Sequence, residues 1–191
     1  MPNDFNICLG TAGWGVWHSP DAGRSWVRHR APFPLNSRIQ ALVPHPTEPR
    51  TVLAAGDTGV FQSRDGGARW QCIPHEEDVI LGRIAPAGPD AVVAGEFGTL
   101  ERLPAGHPPG KRGALEGVPA DVYVFDVWLD EAGRNGVAVG LSGAVLRSED
   151  GGATWTRVEA PISRDLFGVG GAGSRVVIVG DEAAPPEGTN L

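Results

Sequence analysis

The chain has 191 residues, a formal net charge of −7 and 41% hydrophobic residues. That length accommodates one large domain or two small ones, and the apolar share is ordinary for a core-forming protein. The acidic balance argues against a general nucleic-acid or anionic-membrane surface, and no run approaches the ~18 apolar residues that a membrane-spanning helix needs.

The start, Met1-Pro2-Asn3-Asp4-Phe5, shows neither the basic region nor the long apolar region of a signal peptide, so a cytoplasmic protein is expected. In chain order, residues 5–9, 16–18 and 26–29 read as three short strands, followed by a break at Pro32 and Pro34. A full set of four comes next, at 39–43, 51–55, 60–62 and 70–73, with Gly56-Asp57-Thr58-Gly59 as the tight link between its second and third strands. The third set runs 79–84, 91–94 and 99–102, then a longer loop to Gly113, with Leu115 in the place of the fourth strand's first residue. The fourth set is regular, at 122–128, 137–139, 144–147 and 155–158, and two further strands at 165–170 and 176–179 close the series. Short alternating runs separated by turn residues predict antiparallel sheets.

The turn between the third and fourth strands recurs. Ser19, Asp21, Gly23 and Trp26 share their spacing with Ser63, Asp65, Gly67 and Trp70, and with Ser148, Asp150, Gly152 and Trp155. A chance match to Ser-x-Asp-x-Gly-x-x-Trp is of order one in a few hundred thousand per position, so three copies in phase are a repeat. In the third set the pattern has decayed to Leu103, Ala105 and Gly106. Each residue has a structural purpose: Asp and Ser satisfy backbone N–H groups of their own turn, Gly permits φ > 0, and Trp buries a large ring. The turns start at 19, 63, 103 and 148, a period of 40–45 residues, which is the length of a four-stranded propeller blade.

These residues carry a family resemblance. The pattern is similar to the Asp-box, or BNR repeat, of sialidases, sortilin-type receptors and photosystem II assembly-factor-like proteins. The resemblance implies a β-propeller in which the box is a structural turn at the rim, away from the binding face. The expected fold is therefore all-β: a small or incomplete propeller of four to five four-stranded antiparallel blades. One domain, 1–191, would hold blades near 4–32, 38–75, 78–118, 121–160 and a partial one at 164–181. The first blade lacks its innermost strand, so a C-terminal strand could complete it and close the ring; otherwise a fifth, incomplete blade remains, or open edges pair between two copies.

Because strand direction alternates, the boxes share a rim with the turns between first and second strands. A functional site on the opposite rim must use the other connections. That rim collects Asp57, Glu96 and Asp181 at equivalent links (Leu141 stands there in the fourth blade), with Arg38, His75, Glu76, Glu77, Asp78, Arg164 and Asp165 from the segments between blades. Arg38, Asp57, His75, Glu96, Arg164 and Asp181 are the candidate ligand-binding residues. Converging carboxylates suit a cation, a basic ligand or acid/base chemistry, but Asp and Glu are also ordinary in hairpin links.

No catalytic residue, metal or cofactor is assigned. The sialidase-like arginine triad and Tyr/Glu pair are not matched: Arg83-Ile84-Ala85-Pro86 carries an extra Ala, and the single tyrosine, Tyr123, opens an apolar strand. The five histidines lack metal-ligand spacing. Residues 168–173, Gly-rich, lead from strand to strand and not into a helix, which favours a hairpin over a phosphate loop. Cys8 and Cys72 sit in apolar runs without CxxC spacing and are expected to be buried free thiols. Exposed, Trp14 and Trp17 would stack on a sugar or a peptide. The reading is a non-catalytic binding or assembly scaffold with a protein or glycan partner and self-association through open edges; the alternative is a glycan-processing hydrolase or lyase, or a lectin-like relative.

Overall fold

The computed structural model describes residues 5–73, 79–104, 113–114 and 120–181. Among them seventeen strands form five separate antiparallel sheets. The first holds β1 (Ile7–Gly10), β2 (Val16–Ser19) and β3 (Val27–His29). The second holds β4 (Ile39–Pro44), β5 (Val52–Gly56), β6 (Gly59–Ser63) and β7 (Gln71–Ile73), in that order. The third holds β8 (Leu81–Ala87), β9 (Asp90–Gly95), β10 (Leu100–Leu103) and β11 (Gly113–Ala114). The fourth holds β12 (Val124–Leu129), β13 (Gly136–Gly140), β14 (Val145–Ser148) and β15 (Thr156–Val158), with a single 3-10 turn, Leu141–Gly143, between β13 and β14. The last holds only β16 (Leu166–Ala172) and β17 (Arg175–Gly180). Each sheet is a meander of neighbours in sequence, as short polar connections dictate. The architecture is the expected all-β, small and incomplete propeller.

All four innermost strands carry the same irregularity. Register shifts fall between Ile39 and Ala41, Leu81 and Arg83, Val124 and Asp126, and Leu166 and Gly168. One extra residue bends each strand and increases its local twist. Gln40, Gly82, Phe125 and Phe167 are the skipped residues, which makes Ala41, Arg83, Asp126 and Gly168 equivalent positions.

The core lies between sheets and not inside any one of them. Successive strand residues point to opposite faces, so one alternate set on each second strand meets the preceding sheet and the other set meets the following one. Leu53 and Ala55 pack with Leu81, Ile84, Ala91 and Val93 of the next sheet. Val92 and Ala94, on the other face of β9, pack with Val124, Ala138, Leu146 and Trp155. Ala54 faces backwards, with Val16, Phe33 and Phe61. Full burial of each large side chain contributes roughly 1.5–3 kcal/mol.

The two ends expose what the middle covers. Val177 and Val179 occupy the positions of Leu53 and Ala55 but are 66% and 59% exposed, because among the described residues no sheet packs on that face. Leu9, equivalent to Ala54 through its pairing with Trp17, is 47% exposed, because among the described residues no sheet packs on that face. Contacts run from β1 to β4, from β4 and β5 to β8, from β8 and β9 to β12, and from β12 and β13 to β16; none of comparable extent joins β16–β17 to β1–β3. Among the described residues β16 and β17 form a two-stranded sheet of their own, set against the fourth. No C-terminal strand completes the first blade among the described residues: β16 pairs with β17 and neither pairs with β1.

Other expectations resolve locally. Residues 168–173 lie in β16 and its hairpin turn, as a hairpin reading requires. Both cysteines are free thiols, but Cys72 is exposed on an outermost strand and Cys8 is half-buried. Outer strands have only one covered side, which the apolar run around Cys72 did not reveal. No helix among the described residues is long and apolar enough to cross a membrane.

Candidate functional site

The Ser/Asp/Gly/Trp turn is a closed set of local bonds. Ser19, Ser63 and Ser148 each donate from Oγ to the Asp Oδ1 two residues on, at 2.9, 2.9 and 2.8 Å. The same Oγ accepts the N–H of Gly23, Gly67 or Gly152 at 2.8 Å. Oδ1 also accepts the N–H four residues on, from Ser25, Arg69 or Thr154, at 2.8–2.9 Å. The indole N–H of Trp26, Trp70 and Trp155 donates to the carbonyl of the turn's glycine at 3.0–3.1 Å.

Hydroxyls tighten two of the three copies. Ser25 Oγ and Thr154 Oγ1 donate to the second carboxylate oxygen at 2.7 and 2.6 Å. Asp21 is accordingly pulled down to about 2, first by the Ser25 hydroxyl and then by its N–H. Asp150 falls to about 2 through the Thr154 hydroxyl, against a smaller burial cost. At Asp65, burial pushes upward, but the N–H of Arg69 and the Ser63 hydroxyl outweigh it and the group is lowered. These carboxylates hold their charge for the turn.

Backbone bonds define the two rims. Ala22, Gly66 and Gly151 in the boxes donate to Phe5, Arg50 and Arg134, placing boxes beside the turns that precede second strands. On the opposite rim, Asp57, Glu96, Leu141 and Asp181 donate their N–H groups to the carbonyls of Arg38, Ile80, Tyr123 and Asp165. The four link residues are thus structurally equivalent.

Three carboxylates of this rim, those of Asp57, Glu96 and Asp165, are engaged with the main chain. Asp57 Oδ1 accepts the Arg38 N–H at 2.8 Å, and Glu96 Oε2 accepts the Ile80 N–H at 3.2 Å. Asp165 Oδ1 accepts the Ser142 N–H at 2.9 Å, tying the fifth sheet to the fourth. The structure therefore sets Asp57 beside Arg38 within one blade, and Glu96 and Asp181 in the corresponding corners of others. Arg38, Arg164 and Asp181 are exposed there. His75, Glu76, Glu77 and Asp78 lie outside the described residues.

Sequence reasoning missed the centre of the arc. Asp126, 4% exposed, accepts Arg83 Nε at 2.6 Å on Oδ1 and the Val169 N–H at 2.9 Å on Oδ2. Arg83, Asp126 and Val169 lie on β8, β12 and β16, so one carboxylate links three blades. The available signal was a charge at the same place in two apolar strands, Leu81-Gly82-Arg83-Ile84 and Val124-Phe125-Asp126-Val127. Beside it, Tyr123 stacks on Phe125 at 4.7 Å and Phe125 on Phe167 at 5.5 Å between ring centroids. Burial raises the Tyr123 phenol, and the charge of Glu96 adds to that. Among the described residues no group of three or more His, Cys, Asp or Glu is placed to hold a metal ion.

No protein-family model matches the chain, and no curated protein matches it. Solved structures do. An ancestral GH74 enzyme superposes with a TM-score of 0.66 at 18% identity, over 84% of this chain and 23% of that one. YCF48 from Cyanidioschyzon merolae gives 0.66 at 18% identity, over 91% of this chain and 61% of that one. The GH74 xyloglucanase from Xanthomonas campestris gives 0.62 at 17%, over 83% and 29%. These neighbours are β-propellers, and at such identities the likeness is one of fold. The chain spans less than two thirds of the length of each.

Proposed function

We propose that this chain is a single Asp-box (BNR) repeat propeller domain, 1–191, serving as a non-catalytic binding or assembly scaffold for a protein partner in the cytoplasm. The observation that carries the reading is the use of the carboxylates. Those of the boxes cap their own turns, those of Asp57, Glu96 and Asp165 cap backbone N–H groups on the opposite rim, and Asp126 is bound by Arg83 and Val169. A general acid or nucleophile needs a carboxylate free to exchange its proton or reach a substrate; a rigid scaffold needs the reverse. Both thiols being free is in keeping with a reducing compartment.

Glycan hydrolysis is the second reading, favoured by the fold likeness to GH74 enzymes, which this chain covers by less than a third. Incubation of the purified chain with xyloglucan and with a sialyl-lactose substrate separates the two. The scaffold reading expects no released reducing sugar or sialic acid above a heat-denatured control. Turnover abolished by Asp126→Asn or Glu96→Gln would replace it with the enzyme reading.

A further inference from the structure

We propose that the pocket around Trp14, Arg28 and Arg30 is a peptide-binding site that takes a carboxylate flanked by an apolar side chain. The proposal rests on the scaffold reading and gives it a place and a ligand chemistry.

The pocket lies between the first and second blades, on the rim away from the boxes. Its cavity is about 320 Å³, lined by Gly13, Trp14, Arg28, Arg30, Leu35 and Asn36 with Phe33 behind. The loop that presents Trp14 is fixed before any ligand arrives. Thr11 N–H and Oγ1 both donate to the Gly15 carbonyl, at 3.1 and 2.8 Å, and Gly13 N–H donates to the Ser37 carbonyl at 2.8 Å. Gly15 has φ +70°, and a Cβ there would stand 2.5 Å from the His29 carbonyl oxygen. Only glycine fits there, and the three hydrogen bonds hold the loop against its neighbours. Ordering costs paid before binding raise affinity.

Trp14 itself is 59% exposed although large and apolar. Its carbonyl accepts Arg28 Nε at 2.8 Å, and the Arg28 guanidinium stacks 4.3 Å from the indole centroid. This leaves the outer guanidinium nitrogens of Arg28 as donors. Among the described residues neither Arg28 nor Arg30 has a carboxylate partner. In a chain of net charge −7, two unneutralised guanidinium groups beside one pocket are a local reversal of sign. Planar forks of this kind recognise carboxylates.

Leu35, 92% exposed on the same wall, narrows the ligand. An inorganic anion would satisfy the arginines and leave Leu35 and Trp14 wet. A neutral glycan would cover Trp14 and leave both arginines without counter-charge. A peptide with Asp, Glu or a free C-terminus next to a Leu-like side chain uses all four groups.

The test is titration of the ¹⁵N-labelled 191-residue chain, following indole and guanidinium N–H signals. The probes are acetyl-Ala-Leu-Glu-Leu-Ala-amide, its Gln counterpart, and the Gln peptide with a free C-terminal acid. Binding of the Glu peptide should shift the Trp14 indole and the Arg28 Nε–H. Arg30→Ala and Leu35→Ala, both at exposed positions, should each weaken it about fivefold to tenfold at unchanged melting temperature. The Glu amide and the free-acid Gln peptide distinguish a side-chain carboxylate from a C-terminal one. A Gln amide that binds as well as both carboxylate-bearing peptides, affinity indifferent to both substitutions, or no shift of Trp14 with any of the three peptides at millimolar concentration would overturn the proposal. Shifts given equally by sodium phosphate, or by a xyloglucan oligosaccharide in place of peptide, would also overturn it. None of these outcomes touches the scaffold reading, which fails instead on glycan turnover.

Discussion

Arg83 Nε stands 2.6 Å from Asp126 Oδ1, joining the innermost strands of two adjacent blades. The Arg83 side chain is half exposed while that of Asp126 is 6% exposed, so the two halves of the pair are not equivalent. Arg83 deleted leaves a buried carboxylate still bonded by the N–H groups of Val127 and Val169. Asp126 deleted removes the acceptor of both, the Val127 donor buried and the Val169 donor partly so. Asp126→Ala should therefore cost more, about 2–3 kcal/mol, against about 1 kcal/mol for Arg83→Ala after discounting for solvent screening. Urea unfolding of both variants and the double variant measures the difference, and equal costs would contradict the linkage of three blades through one carboxylate.

The box carboxylates are expected to act on stability alone. Asp65→Ala removes the acceptor of Ser63 Oγ and of the Arg69 N–H, a loss of about 1–2 kcal/mol at a turn of this kind. Thermal melting should fall while affinity for any ligand of the opposite rim stays the same. Unchanged melting with lost binding would reverse the assignment of the box as a structural turn.

Acid should loosen the boxed turns of the first and fourth blades last. Asp21 and Asp150 have folded values near 2, below the ordinary 3.8. A depressed carboxylate contributes stability that is complete above its unfolded value and is lost as pH falls through its folded value. The contribution is therefore present above about pH 4 and disappears towards pH 2. Asp150→Asn should flatten the stability profile between those limits and leave the neutral-pH slope alone, read from denaturant midpoints across pH 2–7. A steeper acid limb in the variant would show the sign to be wrong.

Tryptophan truncation should cost in proportion to what lies behind each ring. Trp155 is 1% exposed against the third blade, while Trp26, with no blade packed on that face among the described residues, is 40% exposed. Trp155→Ala should destabilise by about 3–5 kcal/mol and Trp26→Ala by about 1 kcal/mol, chiefly its lost N–H bond to Gly23. Differential scanning calorimetry ranks the two directly, and a larger effect at Trp26 would mean that its face is covered in solution.

Much of this protein is local, and local chemistry is legible in a sequence. The repeat of Ser63, Asp65, Gly67 and Trp70 predicts the turn, because the side-chain hydrogen bonds of those four residues all close within four residues. Strand order follows from it, since each connection is too short for anything but a neighbour. The rim assignment of Asp57, Glu96 and Asp181 also follows, from alternation of direction alone.

Tertiary structure decided what depends on neighbours far along the chain. Identical boxes give Trp155 a buried ring and Trp26 an exposed one, since the difference is the presence of a preceding blade. β16 lies beside β17, its partner across a short hairpin turn, and not beside β1. The Arg83–Asp126–Val169 linkage spans 43 residues on either side of Asp126, and only the bulge shared by all the innermost strands brings those three groups to one level. Sequence settled the repeating module; distance between modules, which no module encodes, settled the arc and the chemistry on its rims.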